Sequence, residues 1–349
     1  MRPCSGFKRG DGGPAGRFRK TLARRPETLY SKASERKRRS SGPSAPSAEA
    51  RPNAKAARAP FRRTARRMSP HTPRSPRIER LMQGLPLTAA SFIVTVYGDV
   101  VVTRGEVLWM GSLIGVCKRV GISETLVRTA ASRLAAAGRL EGERKGRRSF
   151  YRLAPAARTE FSGAARLLYA AEIEPTRWLV IHAPGLSEEE ARRQRMARMG
   201  GEVWIRPDRG GPPPRDALAL RAEAISDPAA LAGFWDLDAL QSGYAAMLAR
   251  FAPLAGEIGR KPGLEPSEAL AARLLLVQVY RGVLLRDPCL PTAALPSGWL
   301  GAEARKLFRR LYLALSPAAD AEIGRSLEGR EGLLPQTTPG SETRLAALA

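Results

Sequence analysis

The sequence predicts an α+β protein with three folded parts: an N-terminal winged helix-turn-helix, a middle ferredoxin-like βαβ domain and a C-terminal helical domain. Three observations predict it. A capped helix over 121–138 runs directly into a basic hairpin at 140–153; strand, helix and strand patterns alternate over 176–206; and apolar residues recur at helical spacing between 234 and 315. The predicted organisation is a basic tail at 1–80, the winged-helix domain with a linker helix at 81–172, the middle domain at 173–225, the helical domain at 226–325 and a C-terminal tail at 326–349.

The chain has 349 residues and a formal net charge of +25, which invites a nucleic-acid partner. The distribution tempers that reading. Residues 1–80 carry 23 Lys+Arg against 5 Asp+Glu, so +18 of the charge belongs to this segment and +7 to everything after it. Rich in Arg, Ser, Pro and Ala and without helical or strand period, the segment buries too little apolar surface to offset its ordering entropy. It reads as disordered up to Arg80, either a spacer or a basic arm adding phosphate contacts. Cys4, Cys117 and Cys289 form neither a disulfide framework nor a metal-ligand spacing, which fits a reducing cytoplasm. Residues 85–102 are interrupted by Thr88, Ser91, Thr95 and Asp99, so no membrane segment is expected.

Within the first folded part, residues 85–96 suit a buried helix closed by Gly98-Asp99. Gly111-Ser112 starts a second helix that Gly121 stops. The third helix has Ser123 as N-cap, Glu124 in its first turn and Gly138 as a left-handed cap. At about 100° per residue, Leu126, Val127, Ala130, Leu134 and Ala137 form its apolar face, with Thr125, Arg128, Thr129 and Ser132 opposite. Small hydrogen-bonding groups and one guanidinium suit a helix entering the major groove of double-stranded DNA, although an ordinary solvated face has the same composition. The hairpin shifts the balance: Arg144, Lys145, Arg147 and Arg148 crowd its tip, where like charges repel unless phosphates face them.

In the middle part, residues 176–182 read as a strand, Ser187 with Glu190 as a capping box, and Gly200-Gly201 as the end of that helix before a strand at 202–206. After a Pro-rich turn, residues 217–225 supply another strand. Trp178 and Trp204 are candidate core or interface residues. In the helical part, the Met and aromatic positions at 234–251 read as core, followed by amphipathic helices at 268–285 and 303–315.

The runs Ser91-Phe-Ile-Val-Thr-Val-Tyr-Gly-Asp99, Leu126-Val-Arg-Thr-Ala130, Arg133-Leu134 and Gly146-Arg-Arg-Ser-Phe-Tyr-Arg-Leu153 resemble the phenylacetic acid degradation operon repressors, the PaaX family. A second block lies at Leu275-Leu-Val-Gln-Val-Tyr-Arg281, Leu285-Arg-Asp-Pro-Cys-Leu-Pro291 and Leu295-Pro-Ser-Gly-Trp-Leu-Gly301. The resemblance covers residues 85–325. It implies a non-enzymatic, cytoplasmic homodimer that reads an operator inverted repeat and is released by an aryl-CoA or acyl-CoA effector, typically phenylacetyl-CoA, with no cofactor. A CoA thioester calls for guanidinium groups beside aromatic walls, a description that Tyr280, Arg281, Arg286 and Trp299 meet. Where the family usually has His-Glu before Tyr-Arg, this chain has Gln278-Val279, so the effector identity is open.

The resemblance also implies a Cas2-like middle domain, whose nuclease relatives place an aspartate at the end of the first strand. Here that position reads His182-Ala-Pro-Gly185, against a metal-dependent nuclease and in favour of a dimer surface. The other alternative is an architectural DNA-binding protein acting through the basic tail.

Overall fold

The computed structural model describes residues 75–171, 173–260 and 263–349. The expected tail therefore lies almost wholly outside the described residues, and its expected limit at Arg80 is corrected. Pro76–Met82 is already helix α1, capped by the Ser75 hydroxyl and pinned where Arg77 bonds Glu257 at 2.7 Å and Glu268 at 2.8 Å.

Helix α2 spans Ala89–Val96 and does not close at Gly98-Asp99 as expected. It continues as a π-helical turn, Tyr97–Val101, because Asp99 is held from several sides. A short strand β1, Val107–Trp109, leads into α3, Met110–Arg119, and α4, Glu124–Ala136. Helix α3 begins at Met110, one residue before the expected Gly111-Ser112, and Gly111 sits under the Trp109 ring: a Cβ there would lie 2.3 Å from it, so a larger residue forces the indole to move. Strands β2, Leu140–Lys145, and β3, Arg148–Leu153, form an antiparallel hairpin turned at Gly146 (φ +62°), and β1 adds to the far side of β3. Phe150 and Leu153 lie on opposite faces of β3, and both are buried.

Helix α5, Pro155–Tyr169, leads to the middle sheet: β4 (Trp178–His182), α6 (Glu188–Arg193), β5 (Ala197–Gly200), β6 (Val203–Pro207) and β7 (Leu218–Ala222). The sheet is wholly antiparallel in order β5-β6-β4-β7. The expected strand–helix–strand thus gains a strand before Gly200, and Gly200-Gly201 form its turn with β6 and not a helix end. The connection from β6 to β7 is the Pro-rich loop, where proline excludes a helix. One face packs Leu179, Ile181 and Trp204 against Ala191 of α6 as a small separate core. Trp178 belongs instead to the main core, its ring 6.2 Å from that of Trp235.

The remainder is helical: α7 (Leu237–Arg260), α8 (Pro266–Leu284) and α9 (Gly301–Ser326). From Ala269 to Val277 every residue of α8 is buried, so it is wrapped on all sides, by α7 and α9 and also by α1, α2, α3 and α5. The N-terminal part and the helical part consequently share one apolar core. Helix α9 was expected to stop near Leu315, yet it runs through Pro317. Pro317 frees the Leu313 carbonyl, and the turns on either side are anchored: the Ser316 hydroxyl donates to Tyr312 O at 2.7 Å, and Asp320 accepts from Arg104 and Arg273. Residues 326–349 are also not a tail. A hairpin of β8 (Glu328–Gly329) and β9 (Gly332–Leu333) lies beside β1, and α10 (Pro339–Leu348) packs on α5 and α9.

These elements meet at Asp99, which is fully buried. Its carboxylate accepts from Tyr312 (2.8 Å), Tyr169 (3.0 Å) and Arg273 (3.1 Å), while Arg344 of α10 donates to its carbonyl at 2.7 Å. Burial opposes the charged form, but Arg273, Arg344 and the two phenols outweigh it and hold the carboxyl below its ordinary range. Removing the charge with Asp99→Asn leaves three buried guanidinium groups, Arg104, Arg273 and Arg344, with Asp320 as the carboxylate of the cluster, and is expected to cost about 3–5 kcal/mol, a loss of roughly 6–20 °C in Tm by calorimetry. Because folding lowers this pKa, the contribution is complete above the unfolded value of about 4 and is lost as the pH falls further. The Tm of the wild type should therefore drop more steeply than that of Asp99→Asn below about pH 4, and parallel pH profiles would contradict this assignment.

Candidate nucleic-acid interface and effector cavity

Helix α4 begins where the Ser123 hydroxyl accepts the Leu126 amide and ends at Gly138 (φ +64°). Val127, Ala130 and Ala131 bury against α2 and α3, which turns Thr125, Arg128, Thr129 and Ser132 outward together. Leu126, expected on the apolar face, stands with them at 57% exposure; Ala131 takes its place in the core. The outward face therefore combines small hydroxyls, a guanidinium and one exposed leucine. Arg128 bonds Glu124 one turn back at 2.9 Å, a surface pair of small worth that a stronger acceptor can replace.

On the hairpin, Arg144, Lys145 and Arg147 are exposed at the tip. Arg148 is not equivalent to them. Its guanidinium lies 4.7 Å over the Trp109 ring and donates to Glu328 of β8 at 2.5 Å, so it braces the hairpin from below. A second tie joins Arg330 to Glu143 at 2.8 Å. This support escaped sequence reading because it comes from 180 residues further along the chain; the only local signal was Trp109 beside Gly111.

A cavity of about 330 Å³ opens between the ends of α7, α8 and α9. Of the four residues expected to line it, the structure brings together Tyr280 and Trp299 and leaves out Arg281 and Arg286. Arg286 turns outward and bonds the Gly282 carbonyl of its own helix. Arg281 faces α2, donating to the Ser91 carbonyl and hydroxyl at 3.2 Å. Gln278 lies on the same side, donating to the Ser91 hydroxyl and accepting from Thr95. The Gln278 departure therefore sits at the seam between α8 and α2, away from the cavity.

The cavity guanidinium groups come instead from Arg209, in the Pro-rich loop, and Arg305, one turn into α9. Arg305 also donates to the Leu167 and Ala170 carbonyls at the end of α5, and Arg209 to the Cys289 carbonyl. Leu284, Leu290, Leu295 and Trp299 form the apolar wall. The Trp299 ring stands edge-on to Tyr244, whose hydroxyl donates to Asp287 at 2.6 Å. Asp287 also accepts the Cys289 amide at 2.6 Å, holding Cys289 at φ +53°. Burial, then the Asp287 charge, push the Tyr244 hydroxyl far above its ordinary pKa, so it remains a donor. The Asp287-Pro-Cys289 run was visible in the sequence, but its role as the bend that shapes the cavity needed the backbone.

In the middle sheet, His182 is exposed at the end of β4, with Glu202 3.6 Å away. Among the described residues no group of three His, Cys, Asp or Glu side chains is placed to hold a metal ion. No helix among them is long and apolar enough to cross a membrane.

Two matches to known families bracket this geometry. Residues 88–157 match the family described as PaaX-like protein, and residues 235–324 match the PaaX-like protein C-terminal domain. The Transcriptional repressor PaaX of Escherichia coli (strain K12) is 31% identical over 291 residues, spanning 76% of this chain and 91% of that protein. Among solved structures, the Uncharacterized protein Rv0674 from Mycobacterium tuberculosis is similar at 22% identity and a TM-score of 0.45, covering 67% of this chain and 98% of its own. With two family regions in order and near-complete coverage of a relative above 30% identity, the chain belongs to the PaaX family.

Proposed function

We propose that this chain is a transcriptional repressor of an aromatic-acid catabolic operon of the phenylacetate type. In this reading α2, α3 and α4 with the β2–β3 hairpin are a winged helix-turn-helix, α4 enters the major groove and the hairpin tip lies along phosphates. The observation that carries it is the outward face of α4, where Thr125, Arg128, Thr129 and Ser132 stand exposed beside the Arg144, Lys145 and Arg147 tip. Small hydroxyls permit close approach, and the Arg128 fork matches the paired acceptors of guanine.

The middle sheet is read as a ferredoxin-like, Cas2-like domain and as the homodimer surface for an inverted repeat. Trp178 and Trp204 are 4% and 1% exposed and belong to cores, whereas β7 is an edge strand with Leu218 at 62% and Leu220 at 56%. The effector is an acyl-CoA thioester, phenylacetyl-CoA or a relative. About 330 Å³ accommodates an aryl-acyl group between Tyr280, Trp299 and the leucines, leaving the CoA phosphates at the Arg209 and Arg305 rim. Release then follows by linkage, the effector binding the DNA-incompetent arrangement more tightly; a near-complete switch needs about 5.5 kcal/mol of differential affinity. With DNA as partner, the protein works in the cytoplasm.

Using a duplex selected from a random pool by the wild-type protein, Arg128→Ala should cut the selected-to-random affinity ratio by about 1–3 kcal/mol in competition anisotropy. An unchanged ratio would overturn the placement of α4. Lys145→Ala and Arg147→Ala should weaken both duplexes alike and lower the salt slope by about one each, whereas Arg148→Ala, already engaged by Glu328, should change the slope less. Thermal stabilisation across a panel of acyl-CoA thioesters tests the cavity: saturation near 100 times Kd contributes about 2.7 kcal/mol, a Tm rise of several degrees. Trp299→Ala should abolish that rise and Arg286→Ala should leave it intact; no shift with any thioester near a millimolar would remove the sensor from this reading.

A further inference from the structure

The cavity and the DNA-facing helices share a continuous set of aromatic rings. Tyr280, 1% exposed, lines the cavity and stacks on Phe308 with centroids 4.4 Å apart. Phe308 packs on Tyr312 at 5.6 Å and on Tyr169 at 6.2 Å, and those two rings are 5.3 Å apart. Both phenols donate to the same Asp99 oxygen. A second route ends at the same atom: the cavity residue Arg305 holds the carbonyls of Leu167 and Ala170, which flank Tyr169 at the end of α5.

Asp99 sits in the π-helical turn that prolongs α2. A π turn differs from the regular α register by one hydrogen-bond step, and a segment able to exchange between the two registers is the kind of element a coupling route requires. Its neighbours are the DNA-facing parts. The Tyr97 hydroxyl, in the same turn, donates to the Tyr151 carbonyl of β3 at 3.0 Å, and α2 packs directly on α4. A change of register at 97–101 therefore moves the support of both the recognition helix and the hairpin. Close-packed rings pass on a displacement because no void absorbs it.

We propose that occupancy of the cavity is transmitted to the DNA-facing helices through Tyr280, Phe308, Tyr312 and Tyr169 to Asp99, whose π turn is the switching element. This inference deepens the effector reading above and rests on it only for the identity of the natural ligand. An occupant wedged between Trp299 and Tyr280 displaces the Tyr280–Phe308 stack, and an anionic group drawn to Arg305 loosens the end of α5. Either change moves a phenol away from Asp99. The Gln278, Ser91, Thr95 and Arg281 bonds hold α2 to α8 independently of this route and keep the two parts together while the turn changes.

A test that needs neither effector nor operator fills the cavity from within. Leu290→Trp, and Leu295→Trp as a second filling variant, are made in the full-length protein and amide hydrogen exchange is followed at residues 92–102. Both should raise exchange there by about fivefold or more, the lower end of typical coupling. In a Phe308→Leu background, which breaks the ring contact but keeps every charge, and in a Tyr169→Phe/Tyr312→Phe background, the rise should shrink to less than about twofold. Equal rises with and without the intact rings would overturn the relay. So would an unchanged 92–102 segment in filling variants whose exchange at 280–302 shows the cavity altered. Phenylacetyl-CoA forms the parallel arm: if it fails to protect 280–302, the effector identity falls, and the filling variants still decide the relay.

Discussion

The protein depends on a charge it has taken out of water. Asp99 and Asp320 face Arg104, Arg273 and Arg344 in an interior where every one of the five is at most 8% exposed. Desolvation makes such an arrangement costly, and its net contribution to stability is small unless each lone pair and proton is satisfied. Here they nearly are: Arg104 bonds the Pro335 and Gln336 carbonyls as well as Asp320, and Ser316 lies beside Arg273. The cluster holds one more cation than anion, and Arg273 keeps one nitrogen, Nη2, without a hydrogen-bond partner. The Arg344 and Arg273 guanidinium groups lie over the Tyr169 and Tyr312 rings at 3.9 and 5.3 Å, which offsets part of that surplus.

What the cluster secures is connectivity. Its members come from the π turn after α2, from the segment before β1, and from α8, α9 and α10, with α5 added through Tyr169. No ion pair within it is local in sequence, the partners lying 47 to 245 positions apart, so the bonds form only when distant segments of the chain have come together. An apolar interior would tolerate several alternative docking angles between α2 and α8; a carboxylate that must meet four donors tolerates one. Around it α8 serves as the common core of both halves, which is why the N-terminal helices and the cavity-bearing helices are not separable bodies. The middle sheet, with its own small core and the Trp178–Trp235 contact as a link, is attached more lightly.

The same economy shapes the surface. The hairpin tip concentrates cations, and the C-terminal segment ties to its base by pairs of both senses: Glu328 takes Arg148, and Arg330 takes the hairpin's Glu143. Arg144, Lys145 and Arg147 stand exposed at the outermost turn. On the far side, the cavity joins an apolar wall to two guanidinium groups, one of which also holds the end of α5. Arg305 thus both lines the cavity and holds the end of α5.

Periodicity, caps and turn residues were enough to determine the local elements, because each depends on neighbours a few positions away. Ser123 and Gly138 bound α4, Gly146 turns the hairpin, Ser187 opens α6, and the outward set on α4 follows from residue spacing alone. Leu126 shows the margin of error: it lies at the edge of the predicted stripe, and the packing of α2 and α3 decided for Ala131. The antiparallel sheet with its extra strand, the passage of α9 through Pro317, and the folding of residues 326–349 onto the hairpin were not legible, since each depends on partners that only the folded chain brings close. The cavity divides in the same way. Tyr280 and Trp299 carried an aromatic signature that a sequence can display, but Arg209 and Arg305 are two arginines among 58 basic residues until the backbone places them. By itself the sequence determined which helices form and that one of them presents an outward face of small hydroxyls and a guanidinium. The tertiary structure alone decided that Asp99 gathers donors from α5, α8, α9 and α10, because a buried carboxylate selects its donors by position in space and not by order along the chain.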